Sequence, residues 1–410
     1  MSASARSILD IIDAHRQEQI RFLGELVKIP SDNPPGACDA HAARAAELLE
    51  RLGFTVERHK VPDDAVKANG MISATNLIIR KRFGEGGKVI ALNAHGDVVP
   101  PGEGWSVDPY GAVVKDGVMY GRGVAVSKSD FATYAFALKA LEESGAPLKG
   151  AVELHLTYDE ETGGAIGPGL ILEQGLSKPD YVISAGFSYS VTVAHNGCLH
   201  LEVRVEGKSA HAARPDTGVD ALEAATRLLT ALYGLRERYK AIRSKVVGID
   251  HPTLIVGLIS GGINTNVVPD VVTMRLDRRL IPEENPEAVE RDLIAEIERV
   301  GAAIPGIGVK TRRILLARPF TPQPGQEVLV AALQRHAKAV MGIEIPAEGV
   351  PLYTDARLYS AAGIPTALYG AGPRTLLDAN GHRADEKLKL EDLIKATKVV
   401  ALTLAELLAG

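Results

Sequence analysis

His95-Gly96-Asp97, Glu160-Glu161 and Gly381-His382 carry side chains of the types that can hold metal ions and move protons, spread along a chain of 410 residues. The first two groups each follow an apolar run of strand type, Lys88-Val-Ile-Ala-Leu-Asn-Ala94 and Ala151-Val-Glu-Leu-His-Leu-Thr157. Ligands bind at the carboxyl ends of strands in an α/β sheet, so both groups are expected to open into one crevice. A histidine that binds an ion through one ring nitrogen needs its other N–H held, and a carboxylate two residues on suits that task. Adjacent glutamates can divide two jobs, one ligating an ion and one acting as a base toward water.

The elements that must position these residues follow from apolar spacing. Ile8, Ile11, Ile12, Ile20, Phe22, Leu23 and Leu26 predict a helix over about 6–28, stopped by the turn chemistry of Ser31-Asp-Asn-Pro-Pro35. A second helix fits Cys38 to Leu52, and a third fits Asp130 to Ser144. Strands are expected at Phe54–His59, Asn76–Arg80 and Val89–Asn93. Such alternation predicts an α/β domain with a mostly parallel sheet flanked by helices. Between 195 and 309 the pattern changes to strand, helix, two strands, helix and strand, the split ferredoxin-like α+β unit. The catalytic domain is therefore expected over 1–194 and 310–410, with 195–309 inserted.

Composition excludes several classes. A formal net charge of −5 without a Lys/Arg-dense stripe argues against a nucleic-acid partner. No run of 18 apolar residues is present to span a membrane, and the first residues, Met1-Ser-Ala-Ser-Ala-Arg6, lack a secretory pattern. The expected compartment is the cytoplasm. Cys38 and Cys198 are far apart and predict neither a disulfide framework nor a thiolate metal site.

Nearly the whole chain resembles the cocatalytic zinc aminoacylases and exopeptidases, which include acetylornithine deacetylase, succinyl-diaminopimelate desuccinylase and carboxypeptidase G. The matching segments are Ile29-Pro30-Ser31, His95-Gly-Asp97, Tyr120-Gly-Arg-Gly123, Asp159-Glu160-Glu161, Gly207-Lys-Ser-Ala-His211, Asn266-Val-Val-Pro269, Asp277-Arg-Arg279, Thr354-Asp355-Ala356 and Gly381-His382 with Asp385-Glu386. The resemblance implies a zinc-exopeptidase-like catalytic domain, with the insertion as its lid and dimerisation domain. It implies Glu160 as acid/base, with Asp97 orienting the metal-bound histidine. It implies His211 as a histidine that crosses a homodimer to polarise the scissile carbonyl, and Asn266 and Arg279 as holders of the substrate's carboxylate and oxyanion.

Two positions depart from the family pattern. The aspartate that bridges two metals three residues after Gly-Arg-Gly is Val126 here, and a second acidic ligand is replaced by Gly186. His95, Glu161 and His382 remain, a two-histidine, one-glutamate set that suits at most one zinc or other divalent ion per chain. Asp130 is a candidate displaced carboxylate, and Lys128 reads as a solvent lysine. The leading expectation is an amide hydrolase acting on N-acyl amino acids, dipeptides or related small carboxylates. The alternatives are a metal-independent enzyme using Glu160, and a small-molecule-binding homologue without catalysis.

Overall fold

The computed structural model describes residues 3–409, so Met1, Ser2 and Gly410 lie outside the described residues. Two compact units form: one of Met1–Val193, Pro322–Glu348 and Thr354–Gly410, the other of Ala194–Thr321 with Gly349–Tyr353.

The first unit is built on an eight-stranded mixed sheet in the order Val56–Lys60, Thr75–Gly84, Gly150–Thr157, Lys88–His95, Tyr181–Ser184, Thr366–Leu368, Val191–His195 and Ala347–Val350. Strands three to six of that order run parallel. Gly150–Thr157 is buried at every position, as expected of a central strand covered on both faces. The helix Lys128–Ser144 is buried almost all round, so its sequence shows no clean polar face. The single N-terminal helix expected from apolar spacing is two, Ala3–Ala14 and Arg16–Val27. They part at His15, whose ring bonds Glu18 at 2.7 Å and Glu143 at 2.8 Å.

The second unit is a four-stranded antiparallel sheet ordered Thr253–Gly261, Val271–Leu280, Gly197–Glu206 and Gly308–Ala317. Alternation along Gly197–Glu206 sends Leu199, Leu201, Val203 and Val205 into one core with Ala224, Leu228 and Leu232 of helix Ala221–Tyr239 and Leu293 and Ile297 of helix Pro286–Ala302. Asp220 and Asn285 cap these helices, accepting from Leu222 N–H at 2.8 Å and Ala288 N–H at 2.9 Å. Gly308–Ala317 pairs along Gly197–Glu206, so this unit runs to Thr321 and past the 309 boundary expected from sequence. The charged run Lys310-Thr-Arg-Arg313 obscures how far that last strand extends in a reading of apolar spacing. No helix among the described residues is long and apolar enough to cross a membrane.

Candidate active site

His95 ends one parallel strand and pairs in register with Thr157, the end of its neighbour. The two strands therefore deliver His95 and the short turn Glu160–Thr162 to the same edge of the sheet. His95 Nδ1 lies 2.9 Å from the main-chain oxygen of Asp97 and 3.3 Å from its carboxylate. A carbonyl only accepts, so Nδ1 carries the proton and Nε2 is left as the ligand atom. The main-chain oxygen, more closely than the expected carboxylate, holds the ring.

The carboxylate of Asp97 has another task. Fully buried, it accepts from the N–H groups of Glu160 at 3.3 Å and Glu161 at 3.1 Å, and from Asn33 Nδ2 at 2.9 Å. It thus pins the turn that carries both glutamates. Among the described residues, ligand atoms of His95, Glu160 and Glu161 come within 4.8 Å of one another. Glu160 Oε2 is 3.9 Å from His95 Nε2. His382 approaches from a loop, Nε2 3.5 Å from Glu161 Oε1, with its backbone in the left-handed region at φ 62°.

Burial pushes the Glu160 carboxyl well above the usual carboxylate range, with His95 opposing and Glu161, Asp355 and Asp97 adding to the rise. Glu161 is pushed up to about 7, again mainly by burial. Burial alone would lower His95, but Glu160 and Asp97 outweigh it and raise the imidazole well above its ordinary value. Asp355, absent from the set chosen on sequence, is also buried here and raised to about 6. Its carboxylate accepts from Thr157 Oγ1 at 3.5 Å and leaves no space for a Cβ at Gly164. The sequence signal was Thr354-Asp355-Ala356, which lacks an obvious metal partner.

The two departing positions differ physically. Val126 is half-buried, and its N–H and that of Ala125 donate to Glu386 Oε1 at 3.1 and 3.0 Å. Arg122 binds the same carboxylate at 2.6 Å. The loop is therefore tied in place, with a hydrocarbon side chain where a carboxylate was expected. Gly186 has no room: a Cβ there would lie 2.8–2.9 Å from Leu368 and the Tyr369 nitrogen. Asp130 is engaged by the main chain. Its Oδ1 accepts from Ala371 N–H at 2.7 Å and it is absent from the converging ligand set. Lys128 is not a solvent lysine: it is fully buried and donates to the Ile29 carbonyl at 2.9 Å.

The remaining candidates lie in the second unit. His211 and Asn266 are exposed and adjacent, joined by the bridge His211↔Val267 and by Ala212 N–H to the Asn266 carbonyl at 3.0 Å. Strand alternation separates the two arginines. Arg278 is buried on the helix-covered face with Glu284 at 2.6 Å and the Tyr239 ring at 4.0 Å. Arg279 lies on the opposite face, 3.0 Å from Asp277.

The profile described as peptidase family M20/M25/M40 matches residues 91–406. The chain belongs to this family. Over 370 residues it is 29% identical to an acetylornithine deacetylase of Myxococcus xanthus, covering 89% of this chain and 91% of that one. A succinyl-diaminopimelate desuccinylase of Gluconacetobacter diazotrophicus is 28% identical over 395 residues, 94% and 95% of the two chains. The fold matches a Bacillus subtilis protein described as a dinuclear metal binding peptidase of family M20, with a TM-score of 0.69, 20% identity and 97% and 99% coverage. As an M20/M25/M40 member the protein is a hydrolase of C–N bonds.

M20 enzymes are typically dependent on zinc or another divalent ion. The residues present fit such an ion. Glu161 Oε1 is buried without a hydrogen-bond partner, and His95 Nε2 is left free to ligate. A divalent cation would also stabilise the buried carboxylates that burial, with their neighbours, now holds toward the protonated form. Two ions about 3.5 Å apart repel by roughly 19 kcal/mol at an effective dielectric near 20. Val126 and Gly186 supply none of the charge that would offset this.

Proposed function

We propose that this M20/M25/M40 hydrolase cleaves the amide bond of an N-acyl amino acid or dipeptide with a free carboxylate, at a site holding one divalent ion. The carrying observation is the convergence of His95 Nε2, Glu160 and Glu161 on a turn pinned by Asp97. The names of the deacetylase and desuccinylase relatives support the N-acyl amino-acid class. His95, Glu161 and His382 would hold the ion, which supplies Lewis acidity to the scissile carbonyl and to water. Glu160 takes the proton from the attacking water and passes it to the leaving nitrogen. Its raised affinity for a proton suits both transfers. Arg279 and Asn266 bind the substrate carboxylate and oxyanion.

The active species is a cytoplasmic homodimer in which His211 completes the partner's site. Support for the dimer comes from the second unit, where edge strand Thr253–Gly261 exposes Ile255, Leu258 and Ile259. The test is a screen of N-acyl amino acids and dipeptides with the parent and Glu160→Gln, before and after chelation. Turnover should fall on the order of 100-fold or more in Glu160→Gln with substrate binding nearly unchanged. A variant within about tenfold of the parent would remove Glu160 from the chemistry.

A further inference from the structure

Cys198 and His200 are two residues apart on one strand, so their side chains share a face of the second unit's sheet. Asp277 stands directly opposite His200 on the neighbouring strand, and Arg279 opposite Cys198. This is the face away from the two helices, since Leu199, Leu201, Leu276 and Arg278 point the other way. Cys198 Sγ lies 3.1 Å from His200 Nε2, and that nitrogen lies 3.0 Å from Asp277 Oδ2. Sγ and Oδ2 are 3.7 Å apart, closing the triangle.

Hydrogen bonds already link the three groups: Nε2 can serve Sγ or Oδ2, and the Cys198 S–H reaches Asp277 Oδ2. A single cation at the centre would take all three atoms as ligands in place of these bonds. Tetrahedral zinc bonds of the usual lengths put sulfur, nitrogen and oxygen ligands about 3.3–3.6 Å from each other. The observed 3.0–3.7 Å edges match within a few tenths of an ångström.

We propose that Cys198, His200 and Asp277 form a second metal site, sharing no ligand with the His95 cluster, for a borderline-soft divalent ion of the zinc class. Thiolate and carboxylate balance its two charges, and His200 ligates as the neutral ring. Binding releases the thiol proton. Arg279 Nε lies 3.0 Å from Asp277 Oδ1 and 3.2 Å from Oδ2, and so fixes the carboxylate that would ligate the ion. Three protein ligands leave a fourth position for water or another small donor. His200 and Asp277 are about one-third exposed, which gives the ion a route in from the open side of the face.

Cobalt(II) tests the site independently of catalysis. The His95 cluster contains no cysteine, so a near-ultraviolet thiolate-to-cobalt charge-transfer band reports only a site with a sulfur ligand. The chelator-treated, reduced full chain should develop this band at about one cobalt per chain beyond the His95 site, and zinc should quench it. Cys38→Ser and His95→Ala should keep the band, Cys198→Ser should abolish it, and His200→Gln should weaken the affinity at least tenfold. Absence of the band in the folded, reduced parent at excess cobalt would overturn the proposal. Its persistence in Cys198→Ser would do the same.

Discussion

Asp97 contributes to the site chiefly as an acceptor of three N–H groups, with the glutamate turn as its cargo. Both glutamate nitrogens and Asn33 converge on it, while the main-chain oxygen of the same residue fixes the His95 tautomer. Removing a group that orients ligands in this way typically costs 10- to 100-fold in metal affinity. Asp97→Asn should therefore weaken zinc binding by about that factor, measured by chelator competition in a Cys198→Ser background that leaves only the His95 site. Affinity within twofold of the parent would show that Asp97 is dispensable for positioning.

At the scale of elements, the loop after strand Tyr181–Ser184 and the helix Lys128–Ser144 decide what can be rebuilt. Gly186 rests against the backbone of Leu368 and Tyr369, so an acid cannot simply be restored there. Gly186→Asp should lower stability by about 1–3 kcal/mol, the usual cost of overpacking, and should not add a metal in the Cys198→Ser background. A stable variant that bound a second ion would contradict this packing account. Asp130, on the first turn of the helix, ties in Ala371, and burial pushes its carboxyl up to about 7 from an ordinary 3.8. From about pH 4 to 7 the folded chain keeps a proton that the unfolded chain has lost, so this group's contribution to stability falls as pH rises. Asp130→Asn retains an acceptor oxygen for Ala371 and does not titrate. Urea midpoints should therefore decline less steeply across that window in Asp130→Asn than in the parent. Equal slopes would mean that Asp130 is ionised in the fold.

For the whole molecule, the homodimer reading makes a prediction that no monomer satisfies. Glu160→Gln and His211→Ala chains should each be impaired, yet their mixture should regain activity after subunit exchange. One of the two sites in a hybrid would then hold both intact residues. The exposed apolar side chains of Thr253–Gly261 mark the edge through which such pairing would run. No recovery after exchange is confirmed by mass spectrometry would place His211 within its own chain's chemistry or outside it altogether.

The sequence alone determined the catalytic unit's alternation of strands and helices, because apolar period is a local property that burial on a sheet requires. It also located His95 and Glu160-Glu161 at strand ends, and the parallel register His95↔Thr157 turns those positions into one cluster. The absence of a carboxylate at 126 and 186 was legible from residue type, since valine and glycine have no donor to offer. Tertiary structure decided the rest. Lys128 looks like a surface residue until the Ile29 carbonyl and the surrounding core enclose it. Gly186 reads as a vacancy until Leu368, 182 residues on, fills the space. His200 and Asp277 are 77 residues apart, and Cys198 joins them only because one strand pairs beside another in a single register. Cross-strand proximity of this kind has no local signature, so the chain can specify it without displaying it.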